Sequence, residues 1–479
     1  MQKSGLDIYL IAIGGTGMAP LACLLQAAGH RVRGSDGPLY PPMSTLLENA
    51  GIDPLVGFDP SHLDPAPDLV IVGNAVPRTN PEAQEVERRG LEKLSMPEAL
   101  AKYLLHDCRP LVISGTHGKT TTTSLAAWVW DDCEAEPGFL IGGIPQNLAT
   151  GFRLGQGPRF IIEGDEYNAA YFDRGPKFLH YRAQTLILTG IEFDHADLYA
   201  DEEDTSAAFE QLLAALPETG LLVACGDSPS VRRIAHLAPC RTVFYGLDDD
   251  NDVRPIRPLH QDESGLTITI DDAENGEVKL FLPMHGEHNA ANALAVWAAA
   301  RADGLPSAAI AAAMRRFAGV KRRAEILGRP GGIAIIDDFA HHPTAVRVTL
   351  RGLRAQFPTS RLVAVFEPRS LTTAQNFFFD EYCRAFAEAD VVYFAPIFHA
   401  GRFADDERLD LEGIAEFLHS RQITTHLAAS IGEIGQTLPP RLEPGDVVVT
   451  MSSGSLEGLP MALLRAIEER FAAAESPAS

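Results

Sequence analysis

The segment Gly115-Thr116-His117-Gly118-Lys119-Thr120-Thr121 constrains this chain more than any other. It follows a short apolar run, Leu111-Val112-Ile113, and opens a helical pattern from Thr121 to Trp130. A strand that feeds a helix through a glycine-rich turn belongs to α/β architecture with a parallel sheet. The first turn of such a helix carries backbone N–H groups without acceptors of their own. An ammonium and a hydroxyl placed beside them make a site for a triphosphate and its magnesium. Lys119 is expected to reach the β- and γ-phosphates, and the Thr120 hydroxyl to ligate Mg²⁺. The general pattern asks for Gly five residues before Gly-Lys, where this chain has Ile113, so the turn is a shorter variant.

Strand and helix patterns repeat on both sides of that turn. Ile8 to Ile13 leads into Gly14-Gly15-Thr16-Gly17 and a helix from Met18 to Ala28; His30 to Gly34 leads to Ser35-Asp36, and Asp68 to Val72 to Gly73-Asn74. A chain of 479 residues suggests about three domains. We expect a Rossmann-like domain over 1–108, a central P-loop ATPase-type α/β domain over 109–318, and a second Rossmann-like domain over 319–479. The acidic stretch from Asp248 to Glu277 reads as short strands or a surface excursion, Asn289 to Ala302 as a strong helix, and Gly319 to Arg323 as a hinge.

With 64 acidic and 40 basic residues the net charge is −24, which disfavours nucleic acid and acidic membrane surfaces as partners. An anionic substrate then needs local arginine, lysine or free N–H groups. The six cysteines are scattered without a C-x-x-C pair, so neither zinc nor a disulfide framework is indicated. No apolar run reaches bilayer length and no leader pattern precedes the first strand; the expectation is a cytoplasmic protein, monomeric or weakly dimeric.

Further clusters sit where chemistry is expected. Glu163-Gly164-Asp165-Glu166-Tyr167 and Glu192-Phe193-Asp194-His195-Ala196-Asp197 each follow an apolar strand. In a parallel sheet such strand ends share one rim. Glu163 and His195 are therefore candidates to hold a second Mg²⁺. His285-Gly286-Glu287-His288-Asn289-Ala290-Ala291-Asn292 starts the Ala-rich helix, where His288, Asn289 and Asn292 are either caps or groups offered to an adenine edge. Asp337-Asp338-Phe339-Ala340-His341-His342-Pro343 again follows a strand.

In this order, over nearly the whole chain, these motifs resemble the Mur ligase family of ATP-dependent amide ligases of cell-wall precursor synthesis. The resemblance rests on G-T-H-G-K-T-T at 115–121, E-G-D-E at 163–166, E-F-D-H-A-D at 192–197, H-N-A-A-N at 288–292, R-R-A-E at 322–325 and D-D-F-A-H-H-P at 337–343. It implies that ATP phosphorylates a carboxylate, which an amine then attacks. It implies ATP at Gly115, Thr116, His117, Gly118, Lys119, Thr120, Thr121, His288, Asn289 and Asn292, with Arg323 facing the γ-phosphate and Asp338 the ribose. It implies magnesium at Thr120, Glu163 and His195, and Lys119, His195, Arg323 and His341 as catalytic side chains. Gly15, Thr16, Gly17, Ser35, Asp36 and Asn74 lie where the family holds a UDP-sugar, and Arg369 and Ser370 where it holds the carboxylates of the incoming amine.

Within the family, Tyr40-Pro41-Pro42-Met43-Ser44, Phe172-Asp173, Lys177-Phe178-Leu179-His180-Tyr181 and Glu367-Pro368-Arg369-Ser370 resemble the recycling branch. That branch joins UDP-N-acetylmuramate to the cell-wall tripeptide L-Ala-γ-D-Glu-meso-diaminopimelate; the alternative is the branch that adds free L-alanine. Gly190 stands where the family usually has Asn, and Met451 to Leu456 only loosely matches its last glycine-rich turn. Two other readings compete. A nicotinamide oxidoreductase would use Gly14 to Gly17, but Pro20 occupies the third glycine position. A nucleotide-binding switch would leave Asp338 to His342 unused.

Overall fold

The computed structural model of the chain describes residues 5–196, 198, 199 and 201–475. Asp197, the last member of the cluster that begins at Glu192, lies outside them. Residues through Glu192, with Glu202–Arg254 and Asn292–Ala313, form one compact unit; Phe193–Asp201, Pro255–Ala291 and the chain from Met314 form another.

Among the described residues the first unit contains three sheets, the smallest being the two-stranded hairpin Asn168–Ala170/Asp173–Pro176. Another runs in the order Leu55–Val56, Arg31–Asp36, Asp7–Ile11, Leu69–Val72, Lys93–Ser95, with all pairings parallel. Leu69–Val72 is buried throughout, as an unbroken apolar run must be when both sheet faces are covered. Local signals set the flanking helices. Asn80 accepts from the Glu82 and Ala83 N–H groups ahead of Pro81–Arg89, and Ser95 and Glu98 form a capping box at Met96–Tyr103.

The largest sheet has the order Arg241–Tyr245, Leu221–Cys225, Thr185–Leu188, Arg109–Ser114, Arg159–Gly164, Gly138–Leu140, Phe152–Arg153, and only the last pairing is antiparallel. Its register aligns Leu188 with Ser114 and Ser114 with Gly164, so the loops leaving these three strand ends emerge on one rim. At the opposite side Asp303 accepts from Trp130 Nε1 (3.1 Å) and Arg159 Nε (2.6 Å). This buried pair fastens the helix Lys119–Asp132 to the sheet, and losing either member would strand a charge.

The second unit is built on a six-stranded sheet, Glu325–Gly328, Ala334–Asp338, Val447–Met451, Leu362–Phe366, Val391–Phe394, Thr424–Leu427, with its first strand antiparallel. Side chains alternate between its faces: Ile336, Ala364, Phe366 and Val449 pack in one core, Ile335, Val363, Val365 and Val448 in another. The acidic stretch after Asp248 resolves into an antiparallel meander, Pro255–Asp262, Gly265–Asp272, Gly276–Leu282.

Candidate active site

The glycine-rich turn joins Arg109–Ser114 to Lys119–Asp132. Gly115 has φ +126°, and a Cβ there would lie 2.3 Å from Thr189 Oγ1; Gly118, at φ +80°, precedes the helix without any side-chain cap. A helix N-terminus without a side-chain cap, entered through glycines, is the arrangement that anion-binding turns use. Lys119 Nζ donates to Gly115 O (2.6 Å) and to both oxygens of Glu166 (2.8 and 3.1 Å). Glu166 is only 3% exposed. Burial by itself would lower the Lys119 ammonium, but the Glu166 and Asp165 charges outweigh it and hold the group above the ordinary lysine value. Thr120 Oγ1 donates to Glu163 Oε2 (3.1 Å), and Gly142 N donates to the other Glu163 oxygen (2.7 Å).

The surrounding turn residues fix the loop. Thr116 Oγ1 bridges the N–H and C=O of Glu192, Thr189 Oγ1 donates to His117 O, and His117 Nε2 lies 3.4 Å from Glu192 Oε2. Thr121 is buried in the helix. Asn292, 7% exposed, borders the same turn: a Cβ at Gly118 would lie 3.0 Å from its Oδ1. Gly190 O accepts from Thr116 N, and a Cβ at Gly190 would meet nothing within 4 Å, so sterics do not require glycine there.

On the rim of the five-stranded sheet, Gly15, Thr16 and Gly17 enter the helix Met18–Ala27, again without a side-chain cap. Asp36 holds this turn, accepting from Gly14 N and Gly37 N at 2.7 Å each. Ser35 is buried and donates to Glu82, which also accepts from Tyr9 OH (3.0 Å) and lies 2.8 Å from His62 Nδ1. Asn74 is exposed just beyond Leu69–Val72.

The remaining candidates belong to the second unit. His195 adopts φ +56°, with its N–H on Asp194 Oδ1 (2.7 Å). Burial would raise the Asp194 carboxyl, but the His195, His341 and His342 charges bring it down to about 2. Asp338 is buried and accepts from Ala324 N and Ala340 N (2.6 Å each), so the strand end is tied to the Arg322-Arg323 connector. Burial pushes its carboxyl up, against the Arg323 charge. Arg323 lies over the Phe339 ring at 4.8 Å, and His341 Nδ1 meets Phe339 O at 2.9 Å. Asn289 Nδ2 donates to His285 O, closing the turn before Glu287–Ala302. Arg369 stacks on Phe398 at 3.6 Å and reaches Glu367 at 3.3 Å; Ser370 Oγ bonds Thr373 Oγ1 at 2.8 Å.

Three family models match the chain along its length: "Mur ligase family, catalytic domain" over residues 7–107, "Mur ligase middle domain" over 113–300 and "Mur ligase, glutamate ligase domain" over 322–454. The chain belongs to the Mur ligase family. It is 36% identical to the UDP-N-acetylmuramate–L-alanyl-gamma-D-glutamyl-meso-2,6-diaminoheptandioate ligase of Escherichia coli (strain K12), covering 98% of this chain and all of the relative. The crystal structure of a murein peptide ligase from Psychrobacter arcticus 273-4 matches with a TM-score of 0.72 at 33% identity, over 97% of this chain and 99% of that one. A UDP-N-acetylmuramate–L-alanine ligase of Desulforamulus reducens is 31% identical, over 98% of this chain and all of its own.

Two features of this Mur ligase escape the motifs. Glu82 is wholly buried yet sits in a charged run, Glu82 to Arg89, that reads as a solvated helix; its one signal is the preceding Asn80-Pro81 cap. The turn Ser452 to Gly454 gathers Arg322, whose guanidinium donates to Ser452 O and Gly454 O, and Glu367, which accepts from Ser452 Oγ. Gly454 also borders Arg369 so closely that a Cβ would overlap its guanidinium.

His288 offers a direct physical check. It packs against Gly286, where φ is +93° and a Cβ would lie 2.6 Å from the ring. Burial lowers the imidazole from 6.5 to about 4. Between those values the unfolded chain holds a proton that the folded chain does not, so stability is full above pH ~6.5 and is lost as the pH falls towards ~4. The expected contribution is up to about 3 kcal/mol. Urea midpoints measured from pH 7 to pH 4.5 should fall more steeply for the wild type than for His288→Gln; parallel curves would refute the burial argument.

Proposed function

We propose that this protein is an ATP-dependent amide ligase joining the carboxyl group of UDP-N-acetylmuramate to the amino group of L-Ala-γ-D-Glu-meso-diaminopimelate, the two compounds that the name of its 36% identical Escherichia coli relative pairs. The observation that carries this reading is the pairing on one rim of Lys119 with Glu166 and of Thr120 with Glu163, behind an uncapped helix N-terminus. Ligation of this kind proceeds by transfer of the γ-phosphoryl group from ATP to the carboxylate oxygen, leaving ADP and an acyl phosphate. The amine nitrogen then attacks the carbonyl carbon, and phosphate departs as the amide forms. Lys119 and the first-turn N–H groups supply positive potential where charge builds on the transferred phosphoryl oxygens. Asn292 contributes an amide at the edge of the same turn. Gly15, Thr16, Gly17 and Asn74 are assigned to the nucleotide sugar. His288, Asn289, Arg323, Asp338 and His341 are assigned to ATP and the transfer step, and Arg369 and Ser370 to the peptide.

The donor set suits magnesium. A carboxylate, Glu163, and a hydroxyl, Thr120, are hard oxygen ligands 3.1 Å apart, and His195 is the third proposed group. Bound there, Mg²⁺ would neutralise phosphate charge. Glu163→Gln and His195→Ala are each expected to raise the Mg²⁺ concentration for half-maximal activity at least tenfold, since losing even an outer-shell partner of a metal ligand typically costs about 10- to 100-fold in affinity. An unchanged magnesium dependence in His195→Ala would make that histidine structural. The reaction itself is tested by ADP release that requires UDP-N-acetylmuramate and the tripeptide together.

A further inference from the structure

Four parallel strands of the second unit's sheet end level, because the register aligns Asp338 with Met451, Met451 with Phe366 and Phe366 with Phe394. The loops that leave them share one rim, the edge at which open α/β sheets take ligands. In order along that rim come His341 after the first strand, Ser452 after the second, Arg369 after the third and the turn Ala400–Arg402 after the fourth. The last of these has no role in the assignments above. It is nonetheless firmly built. Ala395 N donates to Phe366 O (2.9 Å) and Phe398 N to Pro368 O (3.2 Å), which stitches its loop to the one that carries Arg369. Arg408 holds the turn from behind, with Nε on Ala400 O (2.8 Å) and Nη2 on Phe403 O (3.0 Å). The Phe398 ring, which stacks on Arg369, meets the His399 ring edge-on at 4.5 Å. Burial lowers the His399 imidazole below the ordinary histidine value, and the Arg402 and Arg369 charges lower it further, so both guanidiniums lie close to that ring. Arg402 is exposed, and its guanidinium makes no hydrogen bond or ion pair among the described residues. Asp405 is taken by Arg408 (2.6 Å) and Glu407 by Ala404 N (3.0 Å). In a chain of net charge −24, two guanidiniums side by side on one rim suit a ligand with more than one carboxylate.

The order of the strands says which carboxylate each arginine can meet. Neighbouring strands lie about 4.8 Å apart, so the Arg369 loop leaves the sheet about 10 Å, and the Arg402 loop about 14 Å, from the strand end that leads to His341. Three extended residues span about 10 Å, and the γ-linkage and the long third side chain carry the tripeptide beyond that. With the acceptor amine at the His341 end, the middle residue comes level with Arg369 and the far end of the third residue with Arg402. Diaminopimelate ends there in a carboxylate beside an ammonium. Lysine, the other common form of diamino acid, ends in an ammonium alone, which the two guanidinium charges repel.

We propose that Arg402 is a specificity-determining residue that holds the distal carboxylate of the third peptide residue, selecting diaminopimelate over lysine at that position. This selection rests on the tripeptide being the acceptor. Steady-state ADP release by the full chain, with ATP, Mg²⁺ and UDP-N-acetylmuramate, tests it on three acceptors: L-Ala-γ-D-Glu-meso-diaminopimelate, L-Ala-γ-D-Glu-L-Lys and the dipeptide L-Ala-γ-D-Glu. Wild type should use the diaminopimelate peptide at least about tenfold better in kcat/KM than the lysine peptide, the usual worth of a hydrogen bond between charged groups. Arg402→Gln should raise KM for the diaminopimelate peptide about tenfold with little change in kcat, move KM for the dipeptide less than about twofold, and bring the two tripeptides within about threefold of each other. Arg402→Lys should restore part of the preference, and neither variant should shift the melting temperature, because the side chain is exposed and makes no contact that folding needs. Wild type that uses both tripeptides equally, or Arg402→Gln that keeps the full preference, would overturn the proposal and leave the ligase reading intact. A KM raised as much for the dipeptide as for the tripeptide would overturn it in favour of a contact to the middle residue. Wild type that releases ADP with none of the three acceptors would sink the acceptor assignment together with it.

Discussion

Lys119→Ala should reduce ligation by at least 10²-fold, the usual loss when a preorganised group facing developing charge is removed. The structure adds a second effect. Lys119 is the partner of a carboxylate that is 3% exposed, Glu166. Removing one member of a buried pair leaves an uncompensated charge and costs about 3 kcal/mol. The single variant should therefore melt earlier as well as lose activity. The double variant Lys119→Ala/Glu166→Gln removes the stranded charge, so its melting temperature should recover while its activity does not. Melting curves and steady-state ADP release on the two variants separate the contributions. Activity returning together with stability would assign Lys119 a structural role only, and more than about a tenth of wild-type turnover in the single variant would do the same.

The part of this site that is legible in the sequence is the part set by backbone geometry. Gly115 and Gly118 occupy left-handed φ values that side chains resist, and the apolar run before them and the helix pattern after them are local. Three strands of the second unit's sheet, Leu362–Phe366, Val391–Phe394 and Val447–Met451, are legible for the same reason: each is a largely apolar, largely buried run rich in β-branched and aromatic residues. Short strands are not. Leu55–Val56, Lys93–Ser95 and Gly138–Leu140 are two or three residues long and are strands only because a neighbour supplies the ladder. The Arg159–Asp303 pair and the partners of Glu82 are equally invisible, because they lie 144 and up to 73 residues apart, and the Asn80-Pro81 cap before Glu82 marks a helix start but not what the carboxylate meets.

The choice of amine should show the other large effect. With ATP, Mg²⁺ and UDP-N-acetylmuramate, ADP release is expected to be at least tenfold faster with L-Ala-γ-D-Glu-meso-diaminopimelate than with free L-alanine. A tripeptide with several carboxylates needs fixed cationic donors, whereas L-alanine has one carboxylate to hold. Arg369 is suited to that task. Its guanidinium is flattened on Phe398 at 3.6 Å and restrained by Glu367, which is itself 1% exposed and held by Ser452, so little rotamer freedom is lost when it binds. Because the proposed contact is to a part of the substrate away from the reacting atoms, Arg369→Ala should raise KM for the tripeptide about tenfold or more while changing kcat little. Arg369→Lys should recover only part of the loss, since an ammonium cannot reproduce the stacked, two-pronged geometry. If L-alanine is used as well as the tripeptide, or if Arg369→Ala lowers kcat and leaves KM unchanged, the peptide assignment falls while the family membership and the phosphate site stand.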